Sequence, residues 1–309
     1  MFVGGGAFAV YHRLMGNVGD SYDLAEFQPT GDVADAGAPD DAETVPVDPK
    51  AGQALNILIL GSDSRGGENE AVVGDQAEGA RSDTALLAHI PADRSRVDVV
   101  SIPRDLLTDI PECRYGPEDD QVLRAVSNEM FNSAFSRGAR DGDLGLGAIC
   151  SALTVGKLTG VTVDEYVVVD FIGFQRMVDT IGGVPMCIPE PMFSKEADLD
   201  LAAGQQTLNG QQALALARAR KGIGSDGSDI KRIDRQQELL SAVVRQVLSK
   251  NLVTDMPALI GFLDAVTESL TVSSGLSSPV SMAGLAASLS NVGADGITFV
   301  TMPFDYAGA

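Results

Sequence analysis

The chain has 309 residues, with 22 Lys and Arg against 43 Asp and Glu, and its formal net charge is −21. This charge excludes a protein whose bulk surface neutralises nucleic-acid phosphates, because that task needs surplus positive charge. Hydrophobic residues make up 44% and charged residues 21% of the chain, which is typical of one large or two small globular domains and not of a disordered acidic tail.

The first residues form a short apolar run. Residues 1–11 (MFVGGGAFAVY) are followed by His12 and Arg13. Eleven residues are fewer than the roughly 20 that a membrane-spanning helix needs, and the run lacks the basic leading region and cleavage site of a secretory signal. We interpret residues 1–18 as the remnant of an N-terminal membrane anchor, with an ordinary N-terminal helix or strand as the alternative.

An acidic segment follows this run. Residues 19–50 contain nine acidic residues and one lysine, with several Pro, Gly and Ala residues and no sustained apolar period. This composition predicts a linker or a strap across the domain over residues 19–53. The folded catalytic domain is therefore expected over residues 54–309.

Short apolar runs alternate with amphipathic stretches through the remaining chain. Strands are predicted at 55–60, 84–90, 97–102, 166–170, 184–188 and 297–301. Helices are predicted at about 121–136, 144–159, 171–181, 210–220, 229–250, 255–270 and 279–291. This alternation indicates a layered α/β domain with helices on both sides of a sheet.

Three cysteines, Cys113, Cys150 and Cys187, lack the spacing of a metal site. If the protein faces the outside of a cell, one disulfide and one remaining thiol are expected. We favour the pair Cys113 and Cys150, because both lie in or beside the variable stretch after a predicted strand. Three buried thiols in a cytosolic protein are the alternative.

Four segments concentrate charged residues at predicted strand or helix ends: 61–67 (GSDSRGG), 81–84 (RSDT), 101–105 (SIPRD), and 217–220 (ARAR) with 229–236 (DIKRIDRQ). Any one of the first three alone is typical of a turn or a surface ion pair. In the last segment, helical spacing places Arg232, Arg235 and Gln236 on one face at the border of an apolar stripe, where an anion or a carboxylate must meet them. Together the segments supply hard oxygen ligands for Mg²⁺ and forked donors for phosphate oxygens.

Taken in order, these segments resemble the LytR-CpsA-Psr (LCP) family of cell-envelope phosphotransferases. The resemblance covers roughly residues 55–250, and it is specific because several motifs occur in the same order. The matching segments are 56–65 (NILILGSDSR), 81–84, 101–105, 158–166 (LTGVTVDEY), 178–184 (VDTIGGV), 208–214 (LNGQQAL) and the arginine-rich segment above.

The resemblance implies a layered α-β-α sandwich around a central mixed sheet, in a membrane-anchored enzyme whose catalytic domain lies outside the cytoplasm. Such an enzyme transfers a phosphoryl-glycan from a polyprenyl-diphosphate carrier to an acceptor, usually a peptidoglycan hydroxyl, with Mg²⁺ as cofactor and pyrophosphatase activity as a side reaction. A secreted protein as acceptor and a non-catalytic lipid-diphosphate-binding module stay open as alternatives. No nucleic-acid partner is expected.

The resemblance also implies roles for single residues. It assigns Mg²⁺ to Asp63 and Asp83. It assigns catalytic roles to Arg81, Arg104, Asp105, Arg218, Arg220 and Asp229. It assigns substrate binding to Arg65, Arg232, Arg235 and Gln236. Asp105 and Asp229 match motif acids that orient arginines or serve as a base, and this choice stays open.

The chain departs from the family pattern in the long acidic stretch between Arg65 and Arg81, and after Asn132, where SRGAR replaces the usual paired glycines. The lipid tail needs an apolar slot, for which the helices at 144–159 and 238–248 are candidates. Other enzyme classes fit poorly, because the chain lacks the G-x-S-x-G elbow of a serine hydrolase, the G-x-G-x-x-G motif of a dinucleotide-binding fold and the Lys-Ser/Thr signature of a P-loop.

Overall fold

A six-stranded mixed sheet forms the centre of the protein, in a computed structural model that describes residues 21–28, 48–63, 80–116, 121–140, 142–219, 221–222, 225–226, 229–250 and 270–306. The strands are β1 (Leu55–Ser62), β2 (Ser82–Ile90), β3 (Val97–Ile102), β4 (Leu107–Ile110), β5 (Cys113–Arg114), β6 (Val122–Leu123), β7 (Val126–Met130), β8 (Glu165–Asp170), β9 (Val184–Ile188), β10 (Met192–Ser194), β11 (Leu199–Leu201), β12 (Gly204–Leu208), β13 (Lys221–Gly222), β14 (Ser225–Asp226), β15 (Leu270–Val272) and β16 (Ile297–Thr301). The α-helices are α1 (Asn132–Gly138), α2 (Leu144–Thr159), α3 (Phe171–Thr180), α4 (Gly210–Arg218), α5 (Asp229–Ser249) and α6 (Pro279–Ser288).

The order of the strands in the sheet is β15-β8-β1-β2-β3-β16. Strand β8 runs parallel to β1, and β16 runs parallel to β3, whereas the other neighbours are antiparallel. The ends of β1, β3 and β8 therefore lie at one edge of the sheet, beside the start of β2. Most residues named in the sequence motifs follow or precede these strand ends.

Both faces of the sheet are covered, which explains why β1 is a nearly continuous apolar run. Leu58 and Leu60 pack on one face with residues of α1 and α2. Ile57 and Ile59 point to the opposite face, where residues of α5 and α6 pack. The observed architecture confirms the predicted α-β-α sandwich around a mixed sheet.

Most of the predicted elements are present. The bounds of β3, β9 and β16 are those predicted, and α2 spans the predicted residues 144–159. The predicted helix at 121–136 is wrong over most of its length, because residues 122–123 and 126–130 form strands and α1 begins only at Asn132. The predicted helix at 255–270 falls almost wholly outside the described residues, and α6 ends at Ser288 rather than at 291.

The chain between β3 and α1 forms an excursion outside the central sheet. It leaves the sheet after Ile102 and returns beside the end of β3 at Asn132. Strand β4 pairs with β7, and β5 pairs with β6. The Asn132 N–H donates to the carbonyl of Arg104 at 3.0 Å and so closes the excursion. A disulfide joins Cys113 to Cys150 of α2, with 5.3 Å between their Cα atoms, and Cys187 is an exposed free thiol. The favoured cysteine pairing is confirmed.

Parts of the acidic segment pack against the domain. Leu24 is buried in the cluster between the sheet and α2, and the Tyr22 hydroxyl donates to the Asp143 carboxylate at 2.5 Å. Asp48 accepts a hydrogen bond from Arg94 at 2.9 Å, and both residues are buried. The predicted anchor at 1–18 lies outside the described residues. Among the helices in the described part, none combines the length and apolarity required to cross a bilayer.

A buried carboxyl, that of Glu165, lies at the start of β8, at the edge of the sheet opposite Asp83 and Arg104. Glu165 is 5% exposed, and the Ser273 hydroxyl donates a hydrogen bond to it. Burial raises the pKa of the Glu165 carboxyl above its usual range, because desolvation disfavours the charged form more than the hydrogen bond favours it. Folding therefore favours the protonated form of this group.

Removal of the disulfide should destabilise the protein without altering its surface. The double variant Cys113→Ser/Cys150→Ser should lose about 3–4 kcal/mol of unfolding free energy, because the bridge restricts the unfolded chain across a loop of 37 positions. Denaturant unfolding measures this loss. The matched control Cys187→Ser changes an exposed thiol and should stay within about 0.5 kcal/mol of the parent. Equal effects of both variants would contradict a stabilising role for the bridge.

Replacement of Glu165 by Gln should change how stability depends on pH. The stability that this carboxyl contributes is present below its ordinary pKa of 4.5 and is lost as the pH rises through the raised value. The melting temperature of Glu165→Gln relative to the parent should therefore increase from about pH 4 towards neutral pH. The exposed Glu190→Gln is the control for the removal of a surface carboxylate. A difference between Glu165→Gln and the parent that does not change with pH would contradict the assignment.

Candidate functional site

A β-bulge lies at the edge of the sheet where β1 ends and β2 begins. Gly61 pairs with Thr84, and Ser62 pairs with Ser82, so Asp83 is the extra residue of β2. A bulge leaves the extra residue out of the ladder and redirects its side chain, and bulges are common beside active sites. Here the bulge directs Asp83 towards residues from outside the sheet.

Two arginines from distant parts of the chain meet Asp83. Arg104 Nη1 donates to Asp83 Oδ1 at 2.6 Å, and both side chains are more than two-thirds buried. Arg232 Nη2 lies 3.5 Å from the carbonyl oxygen of Asp83. Arg104 Nε also lies 3.2 Å from Asp105 Oδ1. Arg104 is therefore held between two carboxylates at the end of β3.

Asp63 and Arg81 join the end of β1 to the start of β2. The Asp63 N–H donates to the Arg81 carbonyl at 3.0 Å, and the Arg81 N–H donates to Asp63 Oδ1 at 2.6 Å. The side chain of Arg81 is exposed. These contacts place Asp63, the residue after β1, beside the start of β2, at the same edge of the sheet as Asp83.

Helices α4 and α5 approach this edge from one face of the sheet. Helix α4 ends at Arg218, and Arg232 and Arg235 lie in the first two turns of α5. Gln236 Nε2 donates to the Ala217 carbonyl at 3.0 Å, and Arg235 donates to the carbonyl of Ala219. Arg232 is 2% exposed. The start of α5 also directs the positive end of the helix dipole to this edge, which favours a bound anion.

A cavity of about 220 Å³ lies between the sheet and helices α3, α4 and α5. Its polar lining includes Asp83, Arg218, Arg232 and Gln236, at the edge just described. Its other walls are almost entirely apolar. The apolar lining residues are Ile59, Leu60, Leu86, Val169, Phe171, Phe174, Met177, Leu214, Ala217, Leu239 and Leu240, and Gly61, Thr84 and Asp170 complete the lining. The cavity therefore matches a ligand with an anionic head and an apolar tail.

The carboxylates suit a magnesium ion that a substrate also ligates. The described residues contain no group of three or more His, Cys, Asp or Glu side chains that would hold a metal alone. Mg²⁺ is commonly held by one or two carboxylates with water and substrate phosphates completing its shell. Asp63 and Asp83, with a diphosphate bound beside them, would supply this donor set.

The structure brings together most of the residues that the sequence analysis selected. Around the edge lie Asp63, Arg81, Asp83, Arg104, Asp105, Arg218, Arg232, Arg235 and Gln236. Arg65 and Arg220 lie outside the described residues, and Asp229 begins α5 without a described side chain. Of the two candidate helices for the apolar slot, α5 lines the cavity and α2 does not.

Helix α3 contributes a wall that the sequence analysis missed. Phe171, Phe174 and Met177 line the cavity, and Asp170 caps the helix by accepting the Gly173 N–H at 2.6 Å. The spacing of these three apolar residues is that of one helical face, which is equally typical of a helix packed on a core. No signal in the sequence separates the two cases.

Comparison with known proteins places the chain in a family. The chain is 32% identical over 267 residues to the cell wall biosynthesis protein LcpA from Corynebacterium glutamicum, which covers 81% of this chain and 50% of LcpA. It is 30% identical over 254 residues to the polyisoprenyl-teichoic acid–peptidoglycan teichoic acid transferase TagU from Oceanobacillus iheyensis, over 82% of this chain and 68% of TagU. The chain thus spans about half the length of the first of these relatives.

Solved structures share the fold. The crystal structure of TagV from Bacillus subtilis has a TM-score of 0.58 and 22% identity, over 83% of this chain and 88% of TagV. In addition, residues 26–308 match the LytR_cpsA_psr family. The chain belongs to the LytR_cpsA_psr family.

Proposed function

We propose that this chain is a phosphotransferase that moves a phosphoryl-linked glycan from a polyprenyl-diphosphate carrier to a cell-wall acceptor. One observation carries the proposal: an apolar cavity ends at an edge that holds arginines and two carboxylates. A diphosphate with a prenyl tail has the same division into a charged head and an apolar tail. The relatives named above support the same class of reaction, since TagU is described as a transferase of this kind.

The apolar tail of the donor occupies the cavity under α3, α4 and α5. Burial of apolar surface there contributes about 25 cal/mol per Å² and holds the donor without any contact to the glycan. The diphosphate then lies at the polar end, beside Arg218, Arg232 and Gln236. Forked guanidinium donors match phosphate oxygens, so these side chains both bind and orient the head.

Asp63 and Asp83 would hold Mg²⁺ together with the diphosphate, and the ion would supply positive charge against the phosphate oxygens. Arg104 lies against Asp83 and adds positive charge at the same place. Asp105, 3.2 Å from Arg104 Nε, orients the guanidinium. Phosphoryl transfer requires mainly alignment and charge stabilisation from a protein, and this set of side chains provides both.

In the reaction, an acceptor hydroxyl attacks the phosphorus that carries the glycan. The bond from that phosphorus to the bridging oxygen breaks, polyprenyl phosphate leaves, and the hydroxyl proton passes to a carboxylate or to solvent. Because attack and departure are in line, the acceptor approaches from the side opposite the tail cavity. The acceptor is a peptidoglycan hydroxyl, and water in its place gives pyrophosphatase activity. A secreted protein is the alternative acceptor.

The proposed reaction takes place at a membrane surface, because the carrier is a membrane lipid. In this proposal, residues 1–18 are the remnant of the membrane anchor. The disulfide between Cys113 and Cys150 is consistent with an oxidising compartment outside the cytoplasm. The catalytic domain therefore lies on the outer side of a cell membrane.

Turnover should depend on Mg²⁺, Asp83 and Arg104. The assay supplies farnesyl-diphosphate-linked N-acetylglucosamine as donor and peptidoglycan oligosaccharides as acceptor, and it measures farnesyl phosphate and the new phosphodiester. Asp83→Ala and Arg104→Ala should each lower kcat about 100-fold or more, because each removes charge stabilisation at the diphosphate. Arg96→Ala removes an exposed arginine paired with Asp98, away from the site, and should leave turnover unchanged.

Two outcomes would contradict this function. Binding of the diphosphate that needs no Mg²⁺ and survives Asp83→Ala, without turnover, would favour a non-catalytic lipid-diphosphate-binding module. Transfer to an added secreted protein but not to the oligosaccharides would show that the acceptor is a protein and not peptidoglycan.

Magnesium removal with EDTA should abolish turnover in the parent, and added Mg²⁺ should restore it.

A further inference from the structure

The ring of Phe171 lies beneath the guanidinium of Arg218, where the polar end of the cavity meets its apolar part. The guanidinium carbon of Arg218 lies 4.8 Å from the centroid of this ring. Both residues line the cavity. A cation above an aromatic face within about 6 Å is attracted by the ring quadrupole, so the contact stabilises one position of the Arg218 side chain.

The backbone holds Phe171 firmly in this place. It is the first residue of α3 and follows directly after β8, the central-sheet strand that pairs with β1. The preceding Asp170 caps α3 through the Gly173 N–H. The residue as a whole is 8% exposed. A buried wall residue with a fixed backbone is suited to position a neighbouring side chain.

The ring is one of the contacts of Arg218, which lies at the end of a helix. Arg218 is the last residue of α4, and the following backbone at Ala219 is extended. An arginine at a helix end has many rotamers, and ordering it on a phosphate costs conformational entropy. Arginine can stack on an aromatic face while its N–H groups stay available at its edge. Phe171 thus orders the guanidinium without using its hydrogen-bond donors.

We infer that Phe171 is a positioning residue that holds Arg218 ready for the diphosphate of the donor. The inference rests on the proposed function, since the diphosphate is part of it. It assigns the ring a role beyond that of an apolar wall for the tail. The role is specific to Phe171: Phe174, one turn further along α3, lines the same cavity and is not the ring under Arg218.

Two leucine variants separate the two roles. Phe171→Leu and Phe174→Leu remove the same aromatic ring from the same cavity, but only the first removes the contact with Arg218. Calorimetry measures binding of inorganic diphosphate with Mg²⁺ as a probe of the head, and binding of geraniol as a probe of the tail. Phe171→Leu should weaken diphosphate binding roughly threefold to thirtyfold, and Phe174→Leu should leave it unchanged. Both should weaken geraniol binding to a similar extent.

A double-mutant cycle tests whether the effect passes through Arg218. In the background of Arg218→Ala, Phe171→Leu should have no further effect on diphosphate binding, since the positioned group is absent. Phe171→Tyr keeps the ring and should restore the affinity, and thermal melts check that each variant is folded. Equal losses from Phe171→Leu in both backgrounds, or equal losses from the two leucine variants, would overturn the inference while leaving the proposed function intact.

A different result distinguishes failure of the proposed function. If the parent chain binds no diphosphate in the presence of Mg²⁺, both the function and the inference are wrong. If the parent binds diphosphate and Phe171→Leu weakens only geraniol binding, the ring is a tail wall alone and only the inference is wrong.

Discussion

The contact between Asp83 and Arg104 is the constraint around which the rest of the site is arranged. A carboxylate and a guanidinium that are mostly withdrawn from water are costly unless they meet, and here they are 2.6 Å apart. The bulge in β2 turns Asp83 to this position, and the turn after β3 delivers Arg104. Because both residues sit at strand ends, the sheet itself fixes their separation, and this charge pattern exists before any ligand binds.

The disulfide-bearing excursion extends this constraint to the other face of the sheet. The chain leaves at Arg104, forms the paired strands β4 to β7, and returns where the Asn132 N–H donates to the Arg104 carbonyl. The bridge from Cys113 to α2 ties the excursion to the core. The strand pairs and the bridge restrain the described part of this segment, and the Asn132 contact holds the Arg104 carbonyl.

Much of the fold, and the position of several charged residues at one edge of the sheet, could be predicted from the sequence because the signals are local, whereas the roles of those residues come from the family resemblance and stay predictions. Apolar runs ending in Gly61 and Ile102 identify strands, and charged residues directly after such runs fall at a strand edge in any layered α/β fold. The error at 121–136 has a physical cause: Val122, Val126 and Met130 have helical spacing, yet pairing of β7 with β4 overrides it. The bulge at Asp83 and the wall formed by α3 depend on register and packing between distant segments, and nothing local encodes them.

Helix α5 shows how one element serves both the head and the tail of an amphiphile. Its cavity-lining residues Arg232, Gln236, Leu239 and Leu240 have the spacing of a single stripe on one helical face. Along this stripe the side chains change from charged to amide to apolar over about 12 Å, at 1.5 Å per residue.

In helix α4 the order of the side chains is reversed. Its cavity-lining residues change from apolar at Leu214 and Ala217 to charged at Arg218, the last residue of the helix. Two helices with opposite direction thus place their polar ends together at the sheet edge and their apolar residues together behind it. Under the proposed function, a ligand without a tail would lose the apolar contacts, and a ligand without an anionic head would lose the contacts with Arg218 and Arg232. The two helices would therefore favour molecules in which both parts are joined.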